Sequence, residues 1–508
     1  MRDRLLRSWE PLAILGILLL ATSLRLEVIG IRGLWQDEAF SLDAARRSVS
    51  DLLVFLRDTE PHPPGYYLLL SLWRRLVGED LARLRALSVV FGLGAVLLTW
   101  RMGRAVFAPA IGIAGAALVA VNPFQIFASN ELRMYMPLEC ASLAATWALW
   151  RADRASRPTG WATTYGAAMA LAAYASYYAA LLAGAHAVWL VVTARPWRRA
   201  ARIALPAAAG ALVVYSPWLA VVAGGTLPPV YVGQWRQALW PSYVPEILAA
   251  QTFGGYVFDA ATYFTLRGLS VQYYGILLFP FLALATAGLS ALGRIDRPGR
   301  SLVLLSWTVP LGVVVAGSLA TGYVAAYAYH LNFLQPFMAL VVGAGVVRLR
   351  DEVAAAPRAV VIVGAALIVA AFIAPAVDNL QTNPAYQAYR YDQAARFVRT
   401  QYRPGDAVVF IPLGTYRGFG FYFAPPGKRL GVPVTAQTFN REALRKPIAQ
   451  LAAQLGPQDT RVWLVYTLPL PEGTLEDLLL AIEARGYRRT AISDFRGVFV
   501  GLLVRPAR

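Results

Sequence analysis

The stretch PGYYLLLSLWRRLV, residues 64–77, decides how the chain is threaded. Its apolar part is shorter than the roughly 20 residues a helix needs to cross a hydrocarbon core, so it reads as an interfacial or re-entrant helix. Around it, the same length rule yields about eleven apolar spans before residue 377. They lie near 9–30, 84–105, 109–128, 135–151, 161–178, 179–194, 203–223, 272–292, 301–320, 331–347 and 358–376. If 64–77 does not cross, basic clusters fall at every second loop: Arg2, Arg4 and Arg7; Arg101 and Arg104; Arg151, Arg154 and Arg157; Arg195, Arg198, Arg199 and Arg202; Arg294, Arg297 and Arg300; Arg348, Arg350 and Arg358. The positive-inside rule then puts the N-terminus in the cytoplasm. Its basic start and apolar run, MRDRLLRSWEPLAILGILLLATS, read as an uncleaved signal anchor, because many further spans follow. The reading leaves Arg32, Arg46, Arg47, Arg57, Arg74 and Arg75 on the outer face, where a phosphate-bearing ligand would give some of them a role.

Composition agrees with a polytopic α-helical membrane protein. Of 508 residues, 57% are hydrophobic and only 15% charged, with a mean hydropathy of +0.49, outside the range of soluble domains. The formal net charge is +18. Most arginines punctuate hydrophobic spans, the pattern of loops facing anionic headgroups, which argues against nucleic acid as a partner. Cys140 is alone, so the chain has neither a disulfide framework nor a cysteine metal site. From about residue 378 the pattern changes: YDQAARFVRTQYRPGDAVVFIP reads as amphipathic helix, turn and strand, RVWLVY as a strand, LEDLLLAIEARGY as a helix and GVFVGLLV as a strand. Residues 378–508 therefore form a small α/β domain, following a membrane module over 1–377.

With this threading the outer face gathers the loop 31–83, the junction 129–135, the loop 224–271, the junction 321–332 and the C-terminal domain. In WQDEA, Asp37 and Glu38 follow the first span, beside the interfacial Trp35. They fit either the first turn of a solvated helix or a general base for an incoming hydroxyl or amine. In DTEPHPPGYY, Asp58, Glu60, His62, Tyr66 and Tyr67 surround a proline pair that fixes the backbone, and the alternative is a plain turn. In ELRMY, Glu131, Arg133 and Tyr135 interrupt two apolar runs, and ions there usually mark function. Arg133 is a natural phosphate clamp, unless it forms a structural ion pair with Glu131 or Glu139. His330 in YHLNFLQP fits a site residue or a satisfied histidine, whereas His186, deep in an Ala-rich span, reads as structural. Tyr231, Trp235, Trp240, Tyr243, Tyr256 and Tyr263 fit a membrane-interface belt or a stacking surface.

The set resembles the GT-C glycosyltransferases, in the branch of protein mannosyltransferases and lipid A aminoarabinose transferases (glycosyltransferase family 39-like). WQDEA at 35–39, DTEPHPPGYY at 58–67, ELRMY at 131–135 and YHLNFLQP at 329–336 carry the likeness, which covers roughly residues 9–350. The resemblance implies transfer of a sugar from a polyprenyl-phosphate donor to a protein, lipid or glycan acceptor on the extracytoplasmic face of a bacterial plasma membrane, with inversion at the anomeric carbon. It implies Asp37 as base, with Glu38 and Glu60 as accessory acids and Glu131 in a supporting place. Arg133, His62, Tyr135, His330 and Tyr67 would face the donor phosphate. Glu60, His62 and His330 would face a divalent cation, if one is used. One departure is clear: some relatives place a lysine beside the Pro-Pro pair, and here Lys428 is the first lysine of the chain. The competing reading is a transporter or flippase of a lipid-linked or anionic substrate. Against it, no repeat is visible and the polar clusters gather at one surface.

Overall fold

In this computed structural model the described residues are 2–59, 62–193, 197–223, 238–239, 241, 243–252, 271–293, 297–352, 389–434, 440–467 and 470–506. The first part is helical: α1 (Arg2–Val28), α2 (Gln36–Ala45), α3 (Val49–Thr59), α4 (Gly65–Val77), α5 (Leu81–Val106), α6 (Pro109–Val121), α7 (Pro123–Ala128), α8 (Tyr135–Arg154), α9 (Thr159–Ala175), α10 (Ala179–Thr193), α11 (Trp197–Ala223), α12 (Tyr243–Thr252), α13 (Val271–Leu292), α14 (Arg297–Thr321) and, after a 3-10 turn over Ala328–Leu334, α15 (Gln335–Glu352). Among the described residues five helices are long and apolar enough to cross a membrane: Trp9–Val28, Leu81–Val106, Trp197–Ala223, Pro298–Thr321 and Ala328–Glu352. Three shorter apolar helices accompany them. The expected span 358–376 and the domain limit at 377 lie outside the described residues.

The α4 helix has 13 residues. At 1.5 Å per residue it is a rod of roughly 20 Å, short of a hydrocarbon core of roughly 30 Å. Gly78, at φ +80°, ends it in a backbone region closed to most side chains. Its start is held equally tightly: a Cβ on Gly65 would stand 2.6 Å from the Tyr174 Cβ on α9. Glycine packing also joins the spans, since a Cβ on Gly103 of α5 would lie 2.7 Å from the Gly112 Cα of α6.

The expected span 109–128 is instead two helices. Pro123 cannot continue the hydrogen-bond ladder of α6, and the Asn122 side chain accepts from Phe124 N at 2.9 Å and Gln125 N at 3.2 Å, starting α7 afresh. This break delivers the junction 129–134 to the end of the bundle where α1 finishes and α5 begins.

The C-terminal part is an α/β domain. Its sheet has the order β2-β1-β3-β5-β4, from β1 (Ala407–Ile411), β2 (Arg429–Gly431), β3 (Arg461–Thr467), β4 (Arg488–Asp494) and β5 (Val498–Val504). The β1 strand pairs in parallel with β2 and β3; β5 runs antiparallel to β3 and β4. Helices α16 (Tyr391–Gln401), α17 (Thr415–Tyr422), α18 (Arg441–Ala453) and α19 (Thr474–Glu483) cover it. All five β1 residues are buried, as in a strand covered on both faces. One face packs against Leu444, Ile448, Leu478 and Ile482, the other against Tyr391, Val398 and Phe419.

Candidate active site

The site begins at the first turn of α2. Glu38 is fully buried, with Arg85 of α5 against it. Arg85 donates from Nε to Glu38 Oε1 at 3.0 Å and from Nη2 to Oε2 at 2.7 Å. Its other N–H groups reach Ile29 O at 3.1 Å, Arg32 O at 2.7 Å and Gly33 O at 3.0 Å. All five guanidinium donors are thus used, three of them to shape the turn that leads into α2. Leu132 N also donates to Glu38 Oε1 at 3.0 Å, which ties in the junction 129–134. Burial pushes the Glu38 carboxyl up, but Arg85 and then Arg32 outweigh it and hold the group below its ordinary value.

Glu131 is the second buried acid. It accepts from Arg32 and, at 2.7 Å, from the Trp35 indole Nε1, while Ser88 Oγ bonds its backbone carbonyl at 2.6 Å. Burial pushes its carboxyl up to about 7, against the pull of Arg32. Two acids and two arginines therefore form a compensated block, the condition for burying charge at tolerable cost.

On this base the reactive groups face each other. Asp37, next to Glu38 but turned the other way, keeps 41% of its side chain exposed, and its Oδ2 lies 4.0 Å from Arg133 Nη2. The Arg133 Nη1 approaches Ser41 Oγ at 3.4 Å and the Tyr67 hydroxyl at 3.5 Å. Tyr135 stands over Tyr329, with ring centroids 5.6 Å apart. The His62 and His330 rings are 6.3 Å apart, and His330 stacks on Tyr178 at 4.8 Å. The His330 Nδ1 accepts from Tyr327 N at 3.3 Å, which leaves the ring proton on Nε2. Tyr243 joins the same end by donating to Ala326 O at 2.6 Å.

Comparison with known proteins places this architecture. Residues 61–220 match the family model described as dolichyl-phosphate-mannose-protein mannosyltransferase. No curated protein matches the chain by sequence. Among solved structures, ArnT from Cupriavidus metallidurans bound to undecaprenyl phosphate superposes with a TM-score of 0.65 at 14% identity, over 96% of this chain and 97% of that one. The chain has the GT-C fold. The archaeal oligosaccharyltransferase AglB from Archaeoglobus fulgidus, in complex with an inhibitory peptide and a dolichol-phosphate, gives a TM-score of 0.56 at 12% identity over 97% of this chain and 74% of that one. Arabinofuranosyltransferase AftD from Mycobacteria gives 0.53 at 14% over 99% of this chain, which corresponds to 42% of its own length.

Within this GT-C fold several expectations change. Glu38, expected as an accessory catalytic acid, is buried with both oxygens bonded to Arg85 and holds the α2 entry. Arg32 and Trp35 bond Glu131, while Glu139 accepts from Gln125 Nε2 at 2.9 Å and from Asn332. The outer arginines are matched largely by acids, with Arg46 and Arg74 both on Glu79 at 2.6 and 2.9 Å and Arg47 on Asp43 at 3.2 Å. His186 is buried between Thr146 and Tyr165, at 3.1 and 3.2 Å. Glu60, offered as an accessory acid and metal ligand, lies outside the described residues, as do Tyr231, Trp235, Trp240, Tyr256 and Tyr263. Among the described residues no three His, Cys, Asp or Glu side chains assemble as a metal site.

Sequence reading missed Arg85. Its signal was available, because an arginine at the second position of an apolar span needs a buried anion. Replacing Glu38 by Ala leaves that guanidinium uncompensated, and the expected loss is about 3–5 kcal/mol. Thermal unfolding in detergent checks this, with Arg83→Ala, an exposed arginine of the same turn, expected to change little.

Proposed function

We propose that the chain is a membrane glycosyltransferase that moves a sugar from a polyprenyl-phosphate donor to an acceptor on the extracytoplasmic face. The observation that carries this reading is a half-exposed carboxylate, Asp37, set 4.0 Å from a buried guanidinium, Arg133, at one end of an apolar bundle. The similar structures support it, since ArnT was solved bound to undecaprenyl phosphate and AglB in complex with a dolichol-phosphate.

The chemistry follows from the groups. The acceptor heteroatom attacks the anomeric carbon from the face opposite the phosphate, and Asp37 takes its proton as the new bond forms. The bond from the anomeric carbon to the phosphate oxygen breaks, and the bonding pair leaves with the polyprenyl phosphate. Arg133 stabilises the charge that collects on that oxygen, in a setting drier than bulk water. Tyr67, Tyr135 and the Nε2–H of His330 are donors suited to the remaining phosphate oxygens. Attack opposite the leaving group inverts the anomeric centre. Of the residues offered to a divalent cation, His62 and His330 are described, with ring centroids 6.3 Å apart, and the transfer is derived with Arg133 alone. Nothing supports the transporter alternative.

The test is binding and release of the carrier. Protein in nanodiscs is expected to bind undecaprenyl phosphate, and mass spectrometry of its co-purifying lipids should find that carrier or its sugar conjugate. Failure to bind any polyprenyl phosphate, from either assay, defeats the reading.

A further inference from the structure

The C-terminal domain does not merely sit beside the membrane part; the two cores interlock. Trp35, from the loop entering α2, packs against the sheet domain's own core beside Tyr389 and Phe410, while Phe421 and Tyr422 of α17 pack against the helical core. Arg417 donates to Asp43 Oδ2 at 3.2 Å and lies over the Phe40 ring at 5.2 Å. Arg46 returns the contact over Phe421 at 5.9 Å. At the end of α17, the Tyr422 hydroxyl accepts from the backbone N–H of Leu34 at 2.9 Å. Leu34 is fully buried three residues before Asp37, so this phenol is the partner of an amide that water does not reach. Gly33 lies against the same domain: a Cβ there would make ordinary contact with Asp392 Oδ1 at 3.4 Å and the Tyr422 hydroxyl at 3.7 Å.

We infer that the C-terminal domain forms part of the transfer site, with Tyr422 and Arg417 as positioning residues that hold the Leu34–Asp37 segment in place. The inference rests on the function proposed above. Its physical content is that Asp37 has two supports. From below, Arg85 and Glu131 fix the turn and the Trp35 indole; from above, α17 fixes the same turn through Leu34 and the flank of α2 through Asp43. Tyr389 lies within the field of Asp37: burial and then that carboxylate raise its phenol. A domain that undocks would therefore leave Asp37 on a turn supported from one side only.

The experiment uses the full chain. Tyr422→Phe removes one hydroxyl, and the turnover of sugar transfer is expected to fall about tenfold, since small misplacements of a reacting group cost this much or more. Affinity for undecaprenyl phosphate should stay unchanged, a split that general unfolding would not give. Because Phe at 422 can also loosen the domain itself, a charge exchange forms a second arm: Arg417→Asp and Asp43→Arg each lower turnover, and the double variant recovers most of it. Hydrogen exchange over residues 33–37, read without donor or acceptor, is expected to quicken in Tyr422→Phe. Wild-type turnover in both Tyr422→Phe and Arg417→Asp overturns the inference, and so does unchanged exchange at 33–37. If exchange quickens but the wild-type chain transfers no sugar from any polyprenyl donor, the support of this segment by the domain stands and the proposed transfer reaction is what fails.

Discussion

Replacing Asp37 by Asn lowers sugar transfer by about 10²–10⁴, the range expected when a positioned general base is lost. The amide keeps the shape of the carboxylate and cannot accept the acceptor's proton. Stability should change little, because the side chain is 41% exposed and its favourable interaction with the α2 dipole is worth only about 0.3–1 kcal/mol. Binding of the polyprenyl phosphate should persist or strengthen slightly, since a negative charge beside Arg133 has been removed. The assay is turnover with a polyprenyl-phosphate sugar, set beside carrier affinity in the same preparation. A variant that turns over within threefold of wild type would remove Asp37 from the mechanism. Asp37→Glu is a useful companion, because it keeps the base and moves it by one methylene.

The position of Asp37 also shows what a sequence can disclose. That an acid pair follows the first span is visible at once, and the shortness of 64–77 puts that pair at the same end as ELRMY and His330. Both are local properties, of length and charge order, and helices α16 and α19 with strands β1, β3 and β5 were legible for the same reason, whereas β2, β4, α17 and α18 were not read. What was not legible from the residues alone is which of two adjacent acids is buried. Asp37 and Glu38 differ by about 100° around α2, so Asp37 stays 41% exposed while Glu38 faces Arg85, 47 residues away. No local pattern carries that partner. The docking of Tyr422 on Leu34 spans 388 residues and was equally hidden. The split of 109–128 at Asn122 and Pro123, by contrast, was written locally and was overridden by attention to hydropathy alone.

Arg133 is where the second large effect is expected, and its signature should differ from that of Asp37. Truncation to Ala removes the charge proposed to meet the leaving phosphate, and loss of one such donor costs about 10²–10³ in turnover. Unlike Asp37→Asn, the change should also weaken binding of the free polyprenyl phosphate, because the same guanidinium serves ground state and product. Arg133→Lys separates charge from geometry: it keeps a cation but not the planar fork, and an intermediate loss of about tenfold is expected if bidentate contact matters. The Arg133 side chain is nearly buried, with Ser41 and Tyr67 at 3.4 and 3.5 Å and Asp37 at 4.0 Å. If both residues act on one transition state, the double variant Asp37→Asn with Arg133→Ala should lose less than the product of the single losses, as groups acting together are not additive. Full additivity, with carrier affinity untouched by Arg133→Ala, would place the guanidinium outside the reacting centre and leave the departing phosphate without its main counter-charge.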